Sequence, residues 1–204
     1  YEISLGLVGS EMCIRDSVGI IPDGNRRWAV AHGLSKADGY HYGLEPGLRL
    51  LQQAKVYGIQ ELTYYGFTVD NCKRPYDQFA AFQKACVEAV QFLTTEGADL
   101  LVIGNTESKC FPEELKKYTT RTSVNGGGIK LNFLVNYGWK WDLSHILQDG
   151  LPYSSDISRI DMIVRWGGMR RLSGFLPIQS VYADFYVEDK LWPDYDCLLY
   201  TSPS

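Results

Sequence analysis

The spacing of apolar and polar positions divides the chain into strand-length and helix-length pieces in turn. Val18, Ile20 and Ile21 close a short apolar strand, and the residues from Trp28 onward suit a helix. Glu45-Pro46-Gly47 opens a helix whose Leu48, Leu51 and Ala54 share one face and which ends near Gly58. A strand over 61–67 follows, then a long helix from Pro75 to about Thr95 carrying Phe79, Phe82, Ala85, Val87 and Phe92. Beyond it the pattern predicts a strand over 99–103, a helix opening at Pro112-Glu113-Glu114, a strand over 129–136, a short helical stretch after Trp141 and a strand over 160–164. Strands alternating with helices predict a single α/β domain, a mostly parallel central β-sheet flanked by helices and covered on both faces.

Composition narrows the class of protein. A length of 204 residues accommodates one domain, or at most two small ones. With 45% hydrophobic residues and a formal charge of -4, the chain reads as soluble and globular, without the basic excess of a nucleic-acid binder. No apolar run approaches the roughly 18 residues of a spanning helix, so at most peripheral membrane contact is expected. The cysteines form no CxxC pair, and Cys72, Cys86 and Cys110 read as reduced thiols of a cytoplasmic protein.

Candidate chemistry gathers at two strand ends. Ile21-Pro22-Asp23-Gly24-Asn25-Arg26-Arg27-Trp28-Ala29 places a carboxylate, a glycine, an amide and two guanidinium groups at one strand-to-helix junction. Backbone N–H groups at such a junction attract anions, forked arginines suit phosphate oxygens, and Asp23 suits a hard cation such as Mg2+. Taken alone, the short Asp-Gly-Asn run reads as a solvated turn. The run from Ile160 to Val164 enters a second arginine-loaded loop, Arg165-Trp166-Gly167-Gly168-Met169-Arg170-Arg171-Leu172-Ser173-Gly174-Phe175. Two cationic strand ends predict two anionic groups. Phe79, Phe82, Phe92, Leu101 and Phe133 read as core, Tyr64 as core or cavity wall, and His32 and His145 as surface or cap residues.

The segments Asp23 to Ala29, Phe67-Thr68-Val69-Asp70-Asn71-Cys72-Lys73-Arg74-Pro75, Asn136-Tyr137-Gly138, Arg165 to Phe175, and Tyr182-Ala183-Asp184-Phe185-Tyr186 through Leu191-Trp192-Pro193-Asp194 occur in the order seen in cis-prenyltransferases. From about residue 18 to 196 the chain resembles the undecaprenyl diphosphate synthase-like members of that family. The resemblance implies an enzyme that condenses an allylic prenyl diphosphate with isopentenyl diphosphate to give a cis-polyprenyl diphosphate, with Mg2+ as cofactor. It implies catalytic roles for Asp23 and Asn25, with Gly24, Arg26, Arg27, Trp28, Lys36 and Tyr40 around the allylic diphosphate. Phe67, Asp70, Asn71 and Arg74 would line the junction, and Arg165, Arg171 and Ser173 would hold isopentenyl diphosphate. Asp23 and Asp184 would attend the metal, and a homodimer is implied through the carboxyl-terminal segment.

The departures from the family pattern are specific. Gly39-Tyr40-His41-Tyr42-Gly43 puts tyrosine where a histidine is usual, with His41 next to it. Thr68-Val69-Asp70-Asn71-Cys72 loses the usual tryptophan, Met169 stands where an acid is common, Trp166 replaces a small hydroxyl residue, and Asp184 replaces a glutamate. The segment between Trp141 and Ile160 is short, and Ile129 and Val135 lie where tunnel-lining residues occur in the family. Both anion loops are kept while the junction changes. That pattern suits a head-to-tail elongating enzyme first, then a short-chain or irregular dimethylallyl-dimethylallyl condensing enzyme, then a catalytically silent partner subunit. A phosphotransferase is disfavoured because no G-x-x-x-x-G-K-[ST] occurs. Residues 1–17 and 197–204 resemble translated adapter text and are expected to lie outside the domain, which is read as truncated at both ends.

Overall fold

The computed structural model describes residues 16–73 and 76–195. Along the chain run β1 (Ser17–Ile21), α1 (Asn25–Ala31), α2 (Leu44–Val56), β2 (Glu61–Tyr65), α3 (Tyr76–Leu93), β3 (Ala98–Ile103), β4 (Thr122–Val124), β5 (Lys130–Leu134), α4 (Trp139–Ser144), α5 (Ile146–Asp149), β6 (Met162–Arg165) and β7 (Asp184–Val187). The strands make one sheet in the order β4-β3-β5-β2-β1-β6-β7. Only the short edge strand β4 is antiparallel, to β3; every other pairing is parallel. The expected α/β class is what forms.

Period-two alternation sorts the strand residues onto two faces. Val18, Ile20, Leu62, Leu100, Val102, Leu131 and Phe133 pack with Leu51 and Ala54 of α2 and with Val90 and Leu93 of α3. Ile21, Tyr65, Leu101, Ile103, Leu134 and Ile163 face the other way, with Tyr137, Ile157, Ile160, Phe175 and Leu176. That second face departs from expectation. Its cover is mostly turns over 151–159 and 171–182, with α4 and α5 beside them. Pro152, Gly174 and Pro177 interrupt these stretches, so no amphipathic helix can span them.

Other differences are local. The stretch after Pro112 is a 3-10 helix, Glu113–Tyr118, and Pro112 itself is extended. Strands β4 and β7, three and four residues long, fall below what pattern alone identifies. Ser17, assigned by sequence to a tail, is the first residue of β1, opposite Glu61, and the Asp16 carbonyl accepts from the N–H groups of Gln60 and Glu61. The domain therefore takes in two residues that precede the expected boundary. The adapter-like reading of the rest of both tails lies outside the described residues.

Strand order positions the site. β1 is flanked by β2 and β6: the chain passes from β1 to β2 on one side and later crosses from β5 back to β6 on the other. The crevice at such a reversal lies outside the carboxyl ends of the strands, where ligands bind in open α/β sheets. Ile21 stands in register with Arg165 there.

One buried carboxylate secures the turn-built face. Asp142 accepts from the Tyr137 hydroxyl at 2.7 Å, the Ser154 N–H at 2.9 Å and the Ser154 hydroxyl at 2.7 Å. Gln179 Nε2 then donates to the Ser154 carbonyl and hydroxyl. Asp142→Ala is expected to destabilise the chain by about 2–4 kcal/mol, because buried donors that lose an acceptor cost roughly 1–3 kcal/mol each. The check is a lower urea midpoint at an unchanged m-value; an unmoved midpoint would show that the network contributes nothing.

Candidate active site

The residues after β1 and after β6 are pinned to each other. Arg165, with 5% of its side chain exposed, donates from Nη2 to Asp23 Oδ2 at 2.8 Å. Its Nη1 donates to the Ser173 hydroxyl at 2.8 Å and to the Arg171 carbonyl. Arg27 reaches across from α1, donating from Nη2 to the Gly167 carbonyl at 3.0 Å and standing 3.6 Å from Asp23 Oδ1. Gly167 must be glycine for this: its φ is +84°, and a Cβ there would lie 2.4 Å from the Arg27 Nη2. The Trp166 N–H donates to the Ile21 carbonyl, so main chain as well as side chains joins the two loops.

Arg165 therefore does not stand as the free anion ligand that the sequence implies. Its fork is engaged by protein, and only its buried Nε has no described partner. The free cations are others. Arg26, Lys36 and Arg171 line the cavity and form no ion pair with any described residue. Ser173, at φ +54°, is held by the Tyr65 hydroxyl donating to its carbonyl at 2.9 Å. Burial, reinforced by the Asp70 charge, pushes the Tyr65 phenol up, so it keeps its proton through the neutral range.

These groups form one end of a cavity of about 1010 Å³. Gly24 and Asn25 lie on its wall from the first loop, and Asp70 and Asn71 from the 3-10 turn after β2. The opposite end is apolar. α3 presents Phe82, Ala85, Cys86, Ala89 and Leu93 to the space, positions that share one helical stripe, against Tyr64 and Phe133 of the sheet. The small residues in that stripe leave the room. Tyr64 is fixed by donation to the Gly47 carbonyl at 3.0 Å and stacks on Phe133 at 5.4 Å.

Several residues expected at the site take other places. Trp28 is off the cavity wall, because the wall takes Arg26, Arg27, Val30 and Ala31 from one side of α1 and Trp28 falls on the other. There it stacks on His32 at 4.0 Å and donates to Asp194. Phe67 is buried behind the wall, packed on Phe82 and Phe79. Tyr40 does face the cavity, tilted on Phe82 at 4.5 Å, while the neighbouring His41 is exposed. Asp184 opens β7 opposite Met162, at the amino end of a strand parallel to β6, so it is a strand's length from Arg165 and Asp23. Arg74 lies outside the described residues.

Asp70 is exposed and paired with Lys73 at 2.7 Å, so it stands at the mouth. The Cys72 thiol donates to Asn136 Oδ1 at 3.1 Å, anchoring the turn. Burial, with the Cys110 thiol beside it, pushes Cys72 up to about 12, so it is held as a neutral thiol. Trp192, which the sequence places in the carboxyl-terminal segment expected to pair two copies, is instead buried and lines the cavity. Trp166 packs edge-on against it at 4.7 Å, which accounts for a large side chain at that position.

Comparison with known proteins agrees with this arrangement. The family described as "Putative undecaprenyl diphosphate synthase" matches residues 21–200, running past residue 196 into the stretch set apart by sequence. The (2E,6E)-farnesyl-diphosphate-specific ditrans,polycis-undecaprenyl-diphosphate synthases of Pectobacterium atrosepticum and of Escherichia coli K12 are each 32% identical, over 88% of this chain and 81% of theirs. That of Salmonella typhi is 33% identical over the same shares. Among solved structures, lavandulyl diphosphate synthase from Lavandula x intermedia, in complex with dimethylallyl diphosphate, superposes with a TM-score of 0.66. It is 21% identical, with 88% of this chain and 89% of that one covered, which is a likeness of fold. With the two pinned loops at the carboxyl ends of β1 and β6 and a family match over most of its length, the chain belongs to the undecaprenyl diphosphate synthase family of cis-prenyltransferases.

Proposed function

We propose that the protein condenses an allylic prenyl diphosphate with isopentenyl diphosphate, head to tail, to give a cis-polyprenyl diphosphate. The observation that carries this reading is one cavity with Arg26, Lys36 and Arg171, which pair with no described residue, at its polar end and a stripe of small apolar residues at the other. Such a space suits a ligand pair with two diphosphate heads and one growing hydrocarbon tail. The names of the bacterial relatives, specific for farnesyl diphosphate, agree with it.

The roles follow from position. Arg26 and Lys36, with the first amides of α1, face the diphosphate whose negative charge grows as the allylic carbon–oxygen bond breaks, and Arg27 holds the first loop to the second. Donors fixed in advance at such a place lower the barrier rather than merely tighten binding. Arg171 and Ser173 hold the diphosphate that stays intact, and Arg165 positions both loops. Asn25 stands beside the bond being made. Tyr40 and Phe82 keep water from the electron-poor allylic carbon.

Asp23 fits Mg2+ by its chemistry. Its side chain is 34% exposed, Oδ1 is only loosely engaged at 3.6 Å, and one carboxylate with phosphate oxygens is a donor set that Mg2+ accepts. No cluster of three or more ligating side chains occurs among the described residues, so substrate oxygens would complete the shell. When bound, Mg2+ would neutralise charge developing on the departing diphosphate. Asp184 can join it only if a second copy brings its β7 to this site.

A homodimer is part of the proposal, supported by β7 as the outermost strand and by exposed Val181, Tyr182 and Phe185 beside it. A cytoplasmic setting agrees with the reduced thiols of Cys72, Cys86 and Cys110 and with the absence, among described residues, of a helix long and apolar enough to cross a membrane.

The deciding experiment is incorporation of labelled isopentenyl diphosphate with Mg2+ and starters of five, ten and fifteen carbons, resolved by chromatography. No incorporation with any starter would overturn the reading. Asp23→Asn, which keeps an oxygen acceptor for Arg165 while removing the carboxylate charge, is expected to lower kcat by about a hundredfold or more with little change in KM, the signature of lost transition-state stabilisation. Arg171→Ala is expected to raise the KM for isopentenyl diphosphate by roughly ten- to a hundredfold, about 1.4–2.8 kcal/mol of uniform binding. A rise confined to the allylic substrate would exchange the two sites. Sedimentation at micromolar concentration is expected to give twice the mass of one chain, falling to one chain's mass in Tyr182→Glu; a monomer throughout removes the dimer and the place of Asp184 with it.

A further inference from the structure

The two cationic loops are joined a second time, by the residues that follow β7. The Gly168 N–H donates to the Glu188 carbonyl at 3.0 Å, the Gly167 N–H to the Lys190 carbonyl at 2.8 Å, and the Glu188 N–H to the Arg165 carbonyl at 2.8 Å. The same short run then reaches the other loop. Leu191 packs on Gly24, where a Cβ would lie 2.8 Å from Leu191 Cδ2, and the Trp192 N–H donates to the Asp23 carbonyl at 3.0 Å. Trp192 Nε1 donates to the Gly43 carbonyl at 2.8 Å, and Asp194 Oδ1 accepts from Trp28 Nε1 at 2.7 Å. The segment thus holds both loops and the approach to α2 together.

Trp192 is its anchor. The residue is 3% exposed, edge-on to Trp166 at 4.7 Å and parallel to Tyr195 at 5.8 Å. Both of its N–H groups are taken by main-chain carbonyls, so it has no donor left for a ligand although it lines the cavity. A side chain so placed offers a ligand no hydrogen bond, and what its two donors do is fix the main chain at Asp23 and Gly43. Gly43 shows how tight the seat is, since a Cβ there would lie 2.6 Å from Asn25 Oδ1 and 3.0 Å from Trp192 Cδ1.

The two kinds of tie respond differently to an anion. Arg27 and Arg165 bridge the loops through guanidinium groups for which an arriving phosphate competes. The strap from 188 to 194 uses neutral main-chain and indole N–H groups already given to carbonyls and to the Asp194 carboxylate, donors that a phosphate draws less strongly than a guanidinium. It is the connection that persists when the sites fill. We propose that this strap couples the two diphosphate sites, with Trp192 as its positioning residue, so that ordering one loop lowers the cost of ordering the other. The identity of the two ligands rests on the function proposed above.

Calorimetric titration of isopentenyl diphosphate, with Mg2+ and with or without a saturating unreactive allylic S-thiolodiphosphate, tests it. In the parent chain the analogue is expected to tighten isopentenyl diphosphate by about fivefold or more, and the reverse titration to give the same factor. Trp192→Phe keeps the bulk but loses Nε1–H and should roughly halve that factor. Trp192→Ala should bring it below about twofold. Asp194→Ala, at an exposed anchor, serves should Trp192→Ala fail to fold by circular dichroism, and it should also reduce the factor. No coupling in the parent chain, or undiminished coupling in both Trp192→Phe and Asp194→Ala, overturns the strap. A chain that incorporates isopentenyl diphosphate without such coupling loses the strap alone; one that binds neither diphosphate loses the functional reading as well.

Discussion

The ion pair between Asp23 and Arg165 is the constraint on which the rest of the site depends. A guanidinium that is almost fully buried must be paired, and Arg165 meets this with a carboxylate from the end of another strand. Because Ile21 and Arg165 are in register, the pair needs no long reach; it follows from β1 and β6 lying side by side. Removing Asp23 would leave a buried charge facing only a hydroxyl and a carbonyl. The geometry of two diphosphate sites is in this way fixed by the strand order of the sheet.

From that pair outward, charge falls into two groups with different work. Arg165 and Arg27 are committed to protein oxygens and hold the frame. Arg26, Lys36 and Arg171 are uncommitted and line the space. Motif reading cannot separate the two groups, since all five are arginine or lysine. Only the partner each one finds tells them apart.

The parallel sheet was legible because its strands are short apolar runs separated by helical periodicity, and the cationic loops because two of them follow such runs. What stayed hidden depended on direction and on facing. Asp184 looked like a second metal ligand, but with β7 unrecognised there was no way to see which end of a strand it occupied. Trp28 sits in the same motif as Arg26 and Arg27, yet two residues of helical rotation carry it off the cavity wall. Phe67 and Phe82 are both apolar and near the turn after β2, and only packing decides that one lines the cavity and the other backs it. Proline and glycine in 151–182 signalled turns, but not that turns would cover a whole sheet face.

The stripe of Ala85, Cys86 and Ala89 on α3 is best understood as an absence of mass. The helix is long enough to hold its position through Val90, Leu93 and the α2 contact, so these three positions are free of any structural duty to be large. A single heavier side chain there would take volume from the apolar end while leaving every charged group at the other end untouched. The reach of the cavity and the chemistry at its mouth are thereby separable traits, open to change one residue at a time.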